Sequence, residues 1–370
     1  MQLSFSDSVF IFFSSALLLT ILGSPFLIRL LKKFGVVRKD ERDFSFLIEG
    51  RLMKKGTPIM GGMILVVVIT ALTMLFNWHR ATTYVPIGVF LLSALLGGAD
   101  DLLNIFARSS RPVRTLGRIG LLIRKHKELK MRVWYVITFP WQCYKRFFYL
   151  LGSHPGHGIQ AHEKILVQFL IGIIIAWWLS FKLGWTSLWL PWIGLIDVGL
   201  FIIPIIIFLV MFMANAVNIT DGIDGLSAGT LLFAFGSYLF IAIQQGSRDL
   251  AFLIATIMGA LLGYLLFNIK PAKYQMGDVA SLGLGIILTA IAFALDRVVL
   301  LPLIGGIFFI EIASVMVQTT WRVLFGRRLF AMAPLHHHFE MKGWDEARIV
   351  MYAWTLAGIF SAIAIWLSSH

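Results

Sequence analysis

Ten stretches of roughly twenty mostly apolar residues run through this chain, at 8–31, 58–77, 84–104, 164–184, 192–213, 228–244, 249–267, 279–295, 299–324 and 347–367. A helix rises about 1.5 Å per residue, so about twenty residues cross the roughly 30 Å of hydrocarbon in a bilayer. A segment crossing lipid must satisfy its own backbone hydrogen bonds, which leaves helices or closed barrels. Runs of this length predict helices. Composition agrees: 58% of residues are hydrophobic and 14% charged, against about 45–50% and 25% in soluble domains. The expectation is an all-α polytopic membrane protein with about ten transmembrane helices. It forms one domain over 1–370, without internal repeats or low-complexity segments. The N-terminal run from Val9 to Leu31 has no basic region ahead of it and no small-residue cleavage site. It reads as the first span, not a removed signal peptide. The one cysteine, Cys143, excludes an internal disulfide and a cysteine metal cluster.

The formal net charge of +13 encodes topology rather than a nucleic-acid surface. Lysines and arginines fill alternate loops. Lys32, Lys33, Arg38, Lys39, Arg42, Arg51, Lys54 and Lys55 follow the first run, and the loop after the third holds eleven more between Arg108 and Arg146. The second loop holds only Arg80. Basic loops stay in the cytoplasm, so odd-numbered loops are cytoplasmic and both termini lie outside. The segment 133–151 is apolar but interrupted by Pro140, Gln142, Lys145 and Arg146, which suits an interfacial or re-entrant piece better than a span.

Five polar patches fall on the cytoplasmic side. They are Lys54 to Gly62, Gly97 to Asp101, Asn215 to Gly229, Phe267 to Asp278 and Ala333 to Glu340. Asp100 and Asp101 are adjacent and repel, so they ask for a cation. With Asp221 and Asp278 they make an oxygen-only set of the kind that suits Mg²⁺ together with phosphate oxygens. Asp221 and Asp224 are three apart and could share a face of a helix start; equally, Asp224 could cap the following helix. Three consecutive histidines, His336 to His338, point different ways on any regular element, which argues against a shared zinc. Arg327, Arg328 and Lys342 nearby favour phosphate contact, with a solvated loop as the plain alternative. Glu311 lies inside an apolar run, as a substrate contact or as a buried partner of Gln318 or a neighbouring helix. Divalent metal, basic groups and glycines beside a bilayer point to phosphoryl transfer onto a lipid phosphate.

At these motifs the sequence resembles the polyprenyl-phosphate N-acetylhexosamine-1-phosphate transferases. Asn215-Ala-Val-Asn-Ile-Thr-Asp-Gly-Ile-Asp-Gly-Leu is similar to the central signature of that family. Gly56-Thr-Pro-Ile-Met-Gly-Gly and Met332-Ala-Pro-Leu-His-His-His-Phe-Glu resemble its muramoyl-pentapeptide branch. The resemblance covers nearly the whole chain except 105–157. It implies ten spans with both termini outside, and transfer of phospho-MurNAc-pentapeptide from UDP-MurNAc-pentapeptide to undecaprenyl phosphate, with Mg²⁺. The second reading is a relative using another UDP-N-acetylhexosamine, which the triple histidine opposes. A channel or transporter would carry mid-bilayer charges on inverted repeats, whereas here the acids gather at one edge. Partners are therefore the two substrates and the lipid bilayer, with a homodimer left open.

Carried over by position, Asp278 resembles the family's Mg²⁺ ligand, with Asp221 beside it, and Asp100 and Asp101 match an essential aspartate pair. Asn218, Asp221, Lys54, Asn268 and Gln318 match residues near the uridine-diphosphate site. His336 and His337 match histidines that hold the sugar nucleotide, and Lys164 matches a family lysine. Direct attack of the lipid phosphate is favoured over a covalent phospho-aspartate. The pattern departs at Asn104 (usually lysine), Gln275 (usually aromatic), Ala280 (usually glycine) and Ile59 (commonly threonine), and in the long basic loop 105–157.

Overall fold

A computed structural model describes residues 4–38, 56–79, 82–106, 128–150 and 158–370, with Leu121 and Arg124 as isolated positions. In chain order the helices are α1 (Phe5–Lys33), α2 (Met63–Phe76), α3 (Tyr84–Phe106), α4 (Leu129–Leu150), α5 (Ala161–Trp177) and α6 (Ile202–Thr220). There follow α7 (Leu226–Gln244), α8 (Arg248–Asn268), α9 (Asp278–Ala294), α10 (Gly306–Phe325), α11 (Leu335–Met341) and α12 (Glu346–Ser368). A π-helical turn, Trp178–Lys182, extends α5. Among the described residues, eight helices are long and apolar enough to cross a membrane, and α2 and α9 are shorter apolar helices of 14 and 17 residues. These ten coincide with the ten apolar runs, so the chain is an all-α polytopic membrane protein.

Boundaries differ in places. The run 192–213 does not start as helix. Strands β1 (Ser187–Leu190) and β2 (Gly194–Asp197) pair as an antiparallel hairpin, and α6 begins only at Ile202. Trp192 and Gly194 take left-handed backbone angles, φ 60° and 89°, and turn the chain back on itself. The run 299–324 is broken at Gly305, after a short helical turn at Leu301–Ile304. Residues 133–150 lie in α4, a helix of 22 residues with Pro140 inside it.

Apolar residues face outward all around the bundle: Phe10, Leu22, Leu75, Leu95, Phe201 and Leu324 are among the exposed ones. Lipid covers such residues in a membrane protein, so the hydrophobic effect does not drive the helices together. Close van der Waals packing at small residues does. The centre is α9. Every residue from Val279 to Phe293 is buried, between α3, α6, α2 and α7. A helix enclosed by protein has no need to match the full bilayer thickness, which accounts for its 17 residues. Around it, α1 runs along α8, α5 along α6, and α12 along α7.

The approach of α3 to α9 depends on Gly97. A methyl group there would sit 2.0 Å from the carbonyl oxygen of Asp278. The two backbones touch at that point, which brings Asp100 and Asp101 beside the first turn of α9. Gly97→Ala should therefore force the helices apart and lower the thermal midpoint of the detergent-solubilised protein. Gly88→Ala, on the same helix with nothing within 4 Å, should leave it unchanged or raise it, since alanine is better in a helix by about 1 kcal/mol. Scanning fluorimetry of both variants decides the point.

Candidate active site

Backbone geometry builds the site before any side chain does. The loop ahead of α9 is held against Gly56-Thr-Pro-Ile-Met-Gly-Gly as if by a rail. Gln275 N–H donates to the Pro58 carbonyl at 2.9 Å, Gly61 N–H to Gln275 at 2.7 Å, and Gly62 N–H to Met276 at 2.9 Å. The Ala280 methyl packs on Gly62, where a side chain of any kind would be 2.4 Å away. Gln275 accepts from the Arg38 guanidinium at 3.2 Å. Asn268 ties this loop to the central signature: its oxygen accepts from Gly225 N–H and its amide donates to the Tyr274 carbonyl, both at 3.1 Å. Asp224 accepts from Ala272 N–H at 3.1 Å, and α7 starts after Gly225 without a side-chain cap. Asp224 thus neither caps α7 nor shares a helical face with Asp221. It staples the two loops together.

The rail presents Gly277 in a left-handed conformation, φ 73°, between two carboxylates. Its N–H donates to Asp221 at 3.3 Å, and a methyl on it would fall 2.6 Å from Asp101 Oδ2. Beyond it α9 begins, with its first N–H groups unpaired within the helix. Asp101 fills that need from another helix, its Oδ2 accepting from Val279 N–H at 3.1 Å. A carboxylate at a helix N-terminus is favourable on both hydrogen-bond and dipole grounds.

Asp278 stands on the first turn of α9. Its Oδ1 accepts from the Asn218 amide at 2.7 Å, and the same amide reaches Ser281 at 2.8 Å. Its Oδ2 meets Lys164 Nζ at 2.5 Å. Lys164 also contacts Asp100 Oδ2, at 2.7 Å. Asp100 is nearly fully buried and accepts further bonds from Asn104 at 2.9 Å and from the Ile159 N–H at 2.5 Å. The first turn of α5 therefore supplies the cation that adjacent aspartates demand. His162, buried on that same turn, is enclosed by Trp141, Tyr144 and Phe148 of α4. Tyr144 Oη donates to the His162 carbonyl at 3.1 Å.

Asp221, just past the end of α6, keeps part of its surface open. Its carboxyl nonetheless lies deep enough that burial pushes its pKa well above the ordinary carboxylate range. The Gly277 N–H pulls it down, and the charges of Asp278, Asp101 and Asp224 push it up again. Four carboxylates thus gather here: Asp100 and Asp278 on the Lys164 amine, and Asp101 and Asp221 on backbone N–H groups at the start of α9. Among the described residues no three His, Cys, Asp or Glu side chains form a ready metal cage. Mg²⁺ does not need one, because it takes one or two carboxylates and completes its shell with water and phosphate. An all-oxygen set with excess negative charge fits that ion.

The histidine motif lies on α11, and the three rings diverge. His336 is buried, 3.1 Å from Glu311 through Nδ1, and its Nε2 packs against Gly222 of the signature. His337 meets Glu340 at 2.6 Å, and His338 Nδ1 accepts from Ala331 N–H at 3.1 Å. Glu311 is accordingly a buried partner of a neighbouring helix. Gln318 holds the loop after α10 instead, accepting from Leu329 and Phe330 N–H at 2.9 Å each. Lys54 lies outside the described residues. Sequence reading missed Ser281, the Ile159 N–H and the Glu311–His336 pair. Only Ser281 carried a signal, standing three residues after Asp278 on the same helical face.

Residues 156–296 match the family model described as glycosyl transferase family 4. The chain is 34% identical over 357 residues to the phospho-N-acetylmuramoyl-pentapeptide-transferase of Geobacillus thermodenitrificans, covering 95% of this chain and 94% of that one. It is 31% identical over 378 residues to the protein of that name from Desulfitobacterium hafniense, covering 97% and 98%. A third relative with that name, from Geobacillus sp. (strain WCH70), is 32% identical over 358 residues, covering 95% and 94%.

Two outcomes follow from the charges. Lys164→Met leaves Asp100 and Asp278 uncompensated, and breaking a buried pair in this way costs about 3–5 kcal/mol. The thermal midpoint should fall steeply, Lys164→Arg should recover most of it, and Asp100→Asn should soften the loss in the double variant. For Asp221, a folded-state pKa raised above the unfolded value of about 3.9 gives stability at low pH that is lost as pH rises through the folded pKa. Metal-free protein should thus lose stability from about pH 4 upward, and Asp221→Asn should flatten that fall in midpoints measured under chelator.

Proposed function

The chain belongs to the phospho-N-acetylmuramoyl-pentapeptide-transferase family, and from that premise we propose that it transfers phospho-MurNAc-pentapeptide from UDP-MurNAc-pentapeptide to undecaprenyl phosphate. UMP leaves and lipid I forms, in the inner membrane of a bacterium with the site facing the cytoplasm. The observation that carries the reading is the meeting of Asp100, Asp221, Asp278 and Lys164 at one end of the bundle, contributed by α3, the α6–α7 turn, α9 and α5.

In this reading an oxygen of the carrier phosphate attacks the β-phosphorus of the nucleotide. A new P–O bond forms there, the bond from that phosphorus to the bridging oxygen breaks, and its electron pair leaves with UMP. Two anions must approach each other, so neutralising charge is the main task of the site. Lys164, already bridging Asp100 and Asp278, is placed to face phosphate oxygens. Asp278 and Asp221 would hold Mg²⁺, which when bound neutralises the diphosphate. Both Asp100 oxygens already accept hydrogen bonds, so its role is to orient Lys164. Asp101 secures α9 through Val279. Asn218 aligns Asp278, while Asn268 and Gln318 shape the loops that meet the nucleotide. His336 props the signature turn at Gly222, leaving His337 and Lys54 for substrate contact. With every candidate carboxylate already accepting from a donor, direct attack is favoured over a phospho-aspartate.

Purified protein given both substrates and Mg²⁺ should release UMP, and UDP-N-acetylglucosamine should not serve as donor. Chelator should stop the release and added Mg²⁺ restore it. Asp278→Ala should lower kcat by about a hundredfold or more; unchanged turnover would remove the metal assignment. A phospho-aspartate trapped by mass spectrometry would replace direct attack with a two-step route.

A further inference from the structure

Helix α4 is only half covered by protein. Its C-terminal half packs on α5 through Trp141, Tyr144 and Phe148, which enclose His162. These residues lie at the i, i+3, i+7 spacing of one helical stripe. The same stripe continues toward the N-terminus through Ile137 and Trp134, where it is mostly bare among the described residues: Ile137 is 67% exposed and Trp134 58%. Val133 and Val136, off the stripe, are also about half exposed. A run of bare apolar side chains on this scale marks an interaction surface.

The ends of the helix say what covers it. Lys130 and Arg132 stand at one end, Lys145 and Arg146 at the other, and no acidic residue occurs between Leu129 and Leu150. The twelve residues from Val133 to Tyr144 would extend about 18 Å as a helix, well short of the roughly 30 Å of hydrocarbon. Crossing the bilayer is thus excluded, and a span would also carry one basic cluster to the far side. Lying flat in the interface puts both clusters among headgroups and the bare stripe into the acyl region. The helix is anchored on the first turn of α5, where a membrane-spanning helix emerges on the side of the active site.

We propose that α4 is an interfacial helix that docks on an anionic lipid leaflet on the active-site side of the membrane. Its apolar stripe enters the acyl chains, and its terminal lysines and arginines bind acidic headgroups. Lysine stems reach along the ring faces as they do so: Lys145 Nζ already sits 5.4 Å above the Trp141 ring.

The test places a spin label at the bare stripe. Full-length protein carrying Cys143→Ser and Ile137→Cys is labelled and reconstituted in nanodiscs of phosphatidylcholine with about one-third phosphatidylglycerol. Collision with oxygen and with a water-soluble nickel chelate then reports depth. The expected result is high oxygen contact, low nickel contact, and a several-fold rise in nickel contact on Lys130→Glu, Lys145→Glu and Arg146→Glu together. Each reversed charge should weaken the docking about fivefold or more. Free nickel access in the unreversed protein would overturn the proposal, as would depth that ignores the charge reversal. Protection from both reagents would mean a protein cover, such as a second copy of the chain, and would overturn it too. Thermal unfolding of each labelled variant checks that the fold is intact.

Discussion

Four carboxylates share one end of a helix bundle, in surroundings where each charge is costly to bury. The protein meets this with two devices of different kinds. One is a single amine, Lys164, reaching Asp100 and Asp278 together. The other is the start of α9, whose first free N–H groups take Asp101 and whose preceding glycine N–H takes Asp221. What remains is excess carboxylate charge, the kind of donor set that a hard divalent cation would suit. Take away the amine or the helix start and the cluster has no reason to hold together.

The geometry behind this depends on α9 being buried from Val279 to Phe293. Lipid offers no hydrophobic drive for helices to associate, so contact must come from backbones that can approach closely. Gly97 allows it where α3 meets the first turn of α9. On the other side, Gly56 to Gly62 runs as a backbone rail along Gln275 to Gly277. That motif reads in sequence as part of the binding surface, with Lys54 at its head. In three dimensions its described residues act as the wall that fixes Asp278.

The departures from the family pattern find local accounts. Asn104, in place of lysine, donates an amide hydrogen bond to Asp100, and the positive charge there comes from Lys164. Gln275, in place of an aromatic, pairs with Arg38. Ala280, in place of glycine, sets its methyl on Gly62. The long basic loop contributes α4, whose aromatic face closes over His162 and steadies the turn bearing Lys164. The hairpin before α6 was hidden in the sequence because Trp192, Ile193 and Leu195 are as apolar as a membrane span. Hydropathy cannot separate a short exposed ribbon from a helix end when the turn rests on two left-handed residues.

Length and hydropathy along the chain were enough to pick out the ten apolar helices, eight of them long enough to span a membrane. Each run satisfies its own backbone in lipid, and that requirement is local. The same was true of the acidic residues: a carboxylate at a bilayer edge needs a partner wherever it occurs, so the aspartates stood out without a structure. Which partner each one found was decided only by tertiary structure. Asp100 and Lys164 are 64 positions apart and Asp101 and Val279 178 apart, and no periodicity links them. Packing assigned Asp101 to a helix start, Asp224 to a loop and Gln318 to a turn, because hydrogen-bond partners at such separations follow from which helices touch.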